Sequence, residues 1–171
     1  MDLKQKLRHV MNFPKEGIDF IDITTVLQDA DALADCMDKM KKEIDKFEDF
    51  ELVVGPESRG FIFGTPIACA LKKGFIPVRK KGKLPYKTIS ENYELEYGFD
   101  VLEMHQDAIK KGQKVIIVDD LLATGGTTET IIKLVERLGG IVVGVVYFVE
   151  LTELRGRENL KGYNVSSLVQ F

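Results

Sequence analysis

Apolar residues along the chain follow two rhythms. Short unbroken runs of β-branched residues alternate with longer stretches in which apolar positions recur every three or four residues, the pattern of buried strands alternating with amphipathic helices. Leu3, Leu7 and Val10 or Met11 fall at helical spacing and predict a short opening helix that ends before Pro14. The following FPKEGIDFIDITTVL mixes Pro14, Gly17 and acids with alternating apolar residues, which predicts a loop and a short extended piece. A helix over 32–47 follows, with Leu33, Cys36, Met37, Met40, Ile44 and Phe47 as its core stripe. Strand 52–54, helix 61–73 and strand 75–78 make a βαβ unit.

Residues 80–97 differ in kind. Gly82 and Pro85 punctuate them, charges alternate with aromatics and no apolar face is evident, so they read as an exposed hairpin or flap that rejoins a sheet at 100–104. Val115 to Val118 are β-branched and predict a strand buried on both faces that stops at Asp119; a helix from Gly126 follows, with Ile131, Ile132, Leu134, Val135 and Leu138 as its apolar positions. Gly139-Gly140 end that helix. A strand over 141–149, a short polar helix over 154–160 and an edge strand over 165–168 complete an α/β chain.

Composition narrows the class without naming a chemistry. A chain of 171 residues is the usual size of one domain, which here spans 1–171. With 24 basic against 27 acidic residues, nothing implies a general attraction to nucleic acid or to an anionic membrane, so any anion site must be local. Cys36 and Cys69 lack zinc or CxxC spacing and are expected to be buried core thiols of a reducing compartment. Met1 to Val10 carry no apolar signal-like core and no apolar run is long enough to span a bilayer, so the cytoplasm is the expected location. His9 and His105 sit with neither a cysteine nor a triad-like acid, so a histidine metal site has little support.

The chemistry concentrates in KVIIVDDLLATGGTTET. A strand that ends in two carboxylates, then a small-residue loop, then a helix start describes a site for a phosphate ester with vicinal hydroxyls: the loop N–H groups and helix N-terminus donate to the phosphate, while Asp119 and Asp120 accept from the hydroxyls. Ribose 5-phosphate has that shape. The order of residues resembles the 5-phosphoribosyl-1-pyrophosphate motif of the type I phosphoribosyltransferase family, and VDDLLATGGT is close to the form in members that use adenine. The resemblance continues through FPKEGIDF, PESRGFIFG, VRKKGKLP, LEYG and the closing VELTELRGRENL.

That resemblance implies a doubly wound, mostly parallel sheet flanked by helices, with a small N-terminal hood over 1–30 that binds the base and a flexible hairpin flap over 80–99. It implies transfer of the 5-phosphoribosyl group to adenine in purine salvage, giving AMP and pyrophosphate, with Mg²⁺ carried mainly on the substrate and with a homodimer as the assembly. Asp119, Asp120, Ala123, Thr124, Gly125, Gly126 and Thr127 would hold ribose 5-phosphate. Glu57, Ser58, Arg59, Arg79, Lys80 and Lys83 would hold pyrophosphate, and in the family the peptide matching Glu57-Ser58 can be cis. Members that use hypoxanthine and guanine carry a third acid where this chain has Ala123, so the carboxyl near N7 of the base is assigned to Glu96 on the flap, with Tyr97 helping to close the site. Phe20 is the expected stacking ring, with backbone groups of Asp19 and Ile21 reading adenine; the family commonly has Arg at position 21. Asp22 would organise that loop. Two other readings stay open: a phosphoribosyltransferase for xanthine or hypoxanthine, and a non-catalytic sensor of phosphoribosyl pyrophosphate.

Overall fold

A computed structural model describes residues 1–95 and 98–171. Helix α1 (Leu3–Lys6) is a single turn, and β1 (Arg8–Met11) then pairs antiparallel with β2 (Asp19–Asp22), Val10 opposite Phe20. The opening helix is therefore shorter than its spacing predicts. Leu3 and Leu7 do face the core, but Val10 belongs to a hairpin whose partner strand lies ten residues away, a pairing that local spacing cannot register. Next come α2 (Thr24–Leu27) and α3 (Ala30–Ile44), the latter capped by the Asp29 side chain on the Asp31 and Ala32 N–H groups. Strand β3 (Leu52–Pro56), α4 (Arg59–Ala70) and β4 (Gly74–Lys80) form the expected βαβ unit, with β3 parallel to β4.

Strands β5 (Thr88–Leu95) and β6 (Gly98–His105) make the hairpin, which is less detached than its composition suggests. Its β6 arm pairs with the end of β4 through Arg79 and Lys80, and its β5 arm lies against α5 (Gly126–Arg137), where Arg137 Nη1 donates to Ser90 O at 2.7 Å. Strands β7 (Lys114–Leu122), β8 (Ile141–Glu150) and β9 (Val165–Gln170) run parallel to β3. Between β8 and β9 the predicted polar helix is two 3₁₀ segments, Thr152–Leu154 and Gly156–Leu160.

The main sheet has the order β5-β6-β4-β3-β7-β8-β9, parallel except for the hairpin side. Helix α4 leads from β3 to one neighbour while β7 returns on the other side, so the strand order reverses at β3, the place where open α/β sheets take ligands. Both faces of the sheet are apolar because the residues of β7 alternate between two cores. Ile116 and Val118 join the layer of α1, α3 and α4, whereas Val115 and Ile117 join the layer of α5. Cys36 is fully buried, which pushes its thiol up to about 12. Cys69 is exposed, contrary to the core position expected for it: α4 turns Gly60, Phe63, Gly64, Ile67 and Ala68 inward, and position 69 falls off that stripe.

Candidate active site

Strand β7 does not stop at Asp119. It stays paired with β8 through Asp119, opposite Tyr147, and on to Leu122, opposite Glu150. On the other side its pairing with β3 ends at Ile117, opposite Val54. The last residues of β3 and β7 thus diverge, and a cleft of about 270 Å³ opens between them. Its walls are Pro56 to Arg59 from the end of β3, Asp119 to Thr128 from the end of β7 and the start of α5, and Tyr147 from β8.

The loop is shaped to present donors. Gly125 caps α5 with φ +86, the left-handed region that favours glycine, and no side chain caps the helix, so its first N–H groups are left for a ligand. The carboxylates beside the loop are buried, Asp119 being 9% exposed and Asp120 4%. Asp119 Oδ1 accepts from the Asp120 N–H at 2.8 Å. Burial pushes the Asp119 carboxyl well above the usual range, and the adjacent Asp120 charge pushes it further. Burial also raises Asp120, against the pull of Arg59. Arg59 Nε stands 2.8 Å from Asp120 Oδ2, an ion-pair distance without hydrogen-bond alignment, so that buried oxygen has no hydrogen-bond partner among the described residues. Two carboxylates in a polar cleft, one with an oxygen that lacks a hydrogen-bond partner among the described residues, suit the hydroxyls of a ligand.

The expected pyrophosphate residues divide into three groups. Glu57, Ser58 and Arg59 line the cleft, and the Glu57–Ser58 peptide is cis. Arg79 and Lys80 reach it only indirectly, for Glu57 Oε1 accepts from the Lys80 N–H at 2.8 Å and from Arg79 Nε at 3.3 Å, and Lys80 Nζ lies 3.2 Å from Asp100. Lys83 is exposed on the turn after β4 and does not line the cleft.

The three base-site positions lie together on β2 but outside the cleft walls. Phe20 is half-buried, edge-on to Phe13 at 5.2 Å. Ile21 is 4% exposed and packs into the core, which is why an apolar residue is accommodated there. Asp19 Oδ2 is 2.6 Å from His9 Nδ1. Asp22 organises its loop as expected, accepting from both the N–H and the hydroxyl of Thr24. Glu96 and Tyr97 lie outside the described residues.

Sequence reasoning passed over Leu121, Leu122 and Tyr147, all of which line the cleft. Tyr147 is buried, and its hydroxyl shares a short hydrogen bond with Thr128 Oγ1. The available signal was a single aromatic hydroxyl in the apolar run 141–149, which needs a partner once buried.

Residues 22–169 match the Phosphoribosyl transferase domain family. The chain is 72% identical over its whole length to an adenine phosphoribosyltransferase of Acetivibrio thermocellus, with all of both chains covered. The chain belongs to the adenine phosphoribosyltransferase family. The crystal structure of a Thermoanaerobacter pseudethanolicus adenine phosphoribosyltransferase superposes with a TM-score of 0.95 at 52% identity, covering 99% of this chain and 98% of that one. The Saccharomyces cerevisiae adenine phosphoribosyltransferase, complexed with an imino-altritol bisphosphate and adenine, superposes with a TM-score of 0.89 at 40% identity over 97% and 96% of the two chains. The doubly wound sheet is thus the type I phosphoribosyltransferase fold of this family.

Proposed function

We infer that this chain transfers the 5-phosphoribosyl group of phosphoribosyl pyrophosphate to adenine, giving AMP and pyrophosphate in purine salvage. The observation that carries the reading is the juxtaposition of two buried carboxylates with an uncapped glycine loop at the switch point of a phosphoribosyltransferase sheet. Relatives that share its full length are adenine phosphoribosyltransferases, which supports adenine as the base.

The reaction forms a bond from N9 of adenine to C1′ of ribose while the C1′–O bond to pyrophosphate breaks, and the imidazole proton of the base leaves from N7. The proposed roles follow the charges. Loop N–H groups from Ala123 to Thr127 donate to the 5-phosphate, and Asp119 and Asp120 accept from the ribose hydroxyls, where their negative charge also favours the cationic character that develops at C1′. Glu57, Ser58 and Arg59, together with Arg79, Lys80 and Lys83 on β4 and its turn, are assigned to the departing pyrophosphate. Phe20, with backbone groups of Asp19 and Ile21, is assigned to the base. Glu96 is assigned to the carboxyl beside N7, and Tyr97 to closure of the flap over 80–99, which excludes water from C1′. Residues 1–171 then act as one catalytic domain with a hood over 1–30.

A magnesium ion fits this donor set. Among the described residues, buried Asp120 Oδ2 has no hydrogen-bond partner, and no cluster of three or more His, Cys, Asp or Glu side chains is able to cage a metal. Asp119 and Asp120 would therefore meet the ion through water and substrate oxygens. When bound, Mg²⁺ neutralises charge on the pyrophosphate. A homodimer is the proposed assembly and the cytoplasm the proposed location; no helix among the described residues is long and apolar enough to cross a membrane.

The test is AMP formation from adenine and phosphoribosyl pyrophosphate with Mg²⁺, run beside hypoxanthine, guanine and xanthine. Adenine is expected to be strongly preferred. Equal or better turnover of a 6-oxopurine, or no turnover of any base, overturns the reading.

A further inference from the structure

Behind the phosphate loop, on the side away from the cleft, lies the 3₁₀ segment Gly156–Leu160, and two consecutive loop carbonyls are turned toward it. The Asn159 side-chain amide donates to Thr124 O at 2.7 Å. Gly156 lies so close to the loop that a Cβ there would fall 2.3 Å from Ala123 O, and one on Gly125 would fall 2.6 Å from Gly156 O. In a planar trans peptide the carbonyl and the following N–H point in opposite directions. Drawing the Ala123 and Thr124 carbonyls backward therefore turns the Thr124 and Gly125 N–H groups forward.

The segment is well anchored for such a task. Leu160 is buried in the α5-side core. Arg157 makes two bonds of 2.7 Å to the buried Glu150 carboxylate and a third, of 2.8 Å, to Val165 O. It is thereby fixed to β8 and β9, and the loop it holds, Ala123 to Thr127, is composed of small residues.

We propose that the segment Gly156–Leu160 is a positioning platform for the phosphate loop, acting through the Asn159 amide to aim loop N–H groups at the 5-phosphate. The inference rests on the ribose-phosphate role proposed for that loop. Asn159 touches no substrate in this scheme, and it is exposed, so its replacement leaves the fold intact.

The experiment measures ribose 5-phosphate binding by titration calorimetry, steady-state kinetics for both substrates and the melting temperature without ligand, for the wild type, Asn159→Ala and Asn159→Gln. Losing one hydrogen bond that orients the loop is expected to weaken ribose 5-phosphate binding about 3- to 10-fold in the alanine variant. KM for phosphoribosyl pyrophosphate should rise in proportion, KM for adenine should stay unchanged, and Tm should move by less than about 2 °C. The glutamine variant, which keeps an amide donor, should recover most of the loss. Unchanged ribose 5-phosphate affinity in Asn159→Ala, or an equal rise in both KM values, overturns the proposal. A wild-type protein that neither binds ribose 5-phosphate nor makes AMP would instead overturn the parent reading.

Discussion

Replacing Asp119 by Asn separates what the cleft requires from what the fold would prefer. Asp119 and Asp120 are adjacent carboxylates, 9% and 4% exposed, and the cation that faces them, Arg59, is itself half in solvent. Burial and the neighbouring charge hold the Asp119 carboxyl well above its ordinary range, so the ionised form is disfavoured in the folded protein relative to the unfolded chain. Asparagine keeps the shape, and its Oδ1 can still accept from the Asp120 N–H, which Asp119 now does at 2.8 Å. What disappears is a buried charge. Relief of that charge is expected to stabilise the ligand-free protein at neutral pH by about 1–2 kcal/mol, the usual scale for releasing function-related strain. For a domain of this size that raises Tm by roughly 3–6 °C.

The pH dependence follows from the sign of the shift. A carboxyl whose folded pKa is raised contributes favourably below its unfolded range, and that contribution is lost as pH rises through the folded value. The advantage of Asp119→Asn should therefore be largest at about pH 8 and shrink as pH falls through the raised Asp119 value toward the ordinary carboxylate range. Calorimetric melting across that range is the assay. Ribose 5-phosphate affinity should fall on the order of 10- to 100-fold in the same variant, since a charged acceptor is lost. A variant no more stable than the wild type at about pH 8, or a gap that widens on acidification, would refute the reasoning.

Three further outcomes are expected. Gly125→Ala places a Cβ at φ +86 and 2.6 Å from Gly156 O, so it should lower stability by about 2 kcal/mol and weaken ribose 5-phosphate binding, as read by denaturant melts and calorimetry. Arg157→Met leaves the Glu150 carboxylate, 4% exposed, with Ser167 and Gln170 as its remaining side-chain donors. Arg157 hydrogen bonds hold that carboxyl below its usual range, a contribution present at neutral pH and lost on acidification, so a deficit of about 2 kcal/mol should narrow as pH falls. Glu96→Gln should lower kcat far more than it changes either KM; near wild-type turnover removes Glu96 from its assigned role.

Much of this is legible in the sequence. Residues 114–130 declare a strand, two acids, an anion loop and a helix, because each demand is local: β-branched residues for a buried strand, small residues for free N–H groups, recurring apolar positions for the helix. The βαβ unit and the core stripe of α3 were equally plain. Residues 3–11 were misread because Leu3 and Leu7 satisfy a helical spacing while the pairing of Val10 with Phe20 is set at a distance. Cys69 was misplaced because an apolar stretch does not state which way each residue turns.

What the sequence by itself determined is the set of chemical parts, for strand, loop and cap preferences are written within a few residues. The tertiary structure alone decided how those parts meet. The register of β7 carries the strand past Asp119 on the β8 side while releasing it from β3 after Ile117, and that divergence is what opens the cleft. It sets Tyr147 opposite Asp119, ties Arg79 and Lys80 to Glu57, and brings Asn159 to Thr124 across 35 residues of chain. Contacts between distant segments depend on strand order and packing rather than on local preference, so no stretch of sequence announces them.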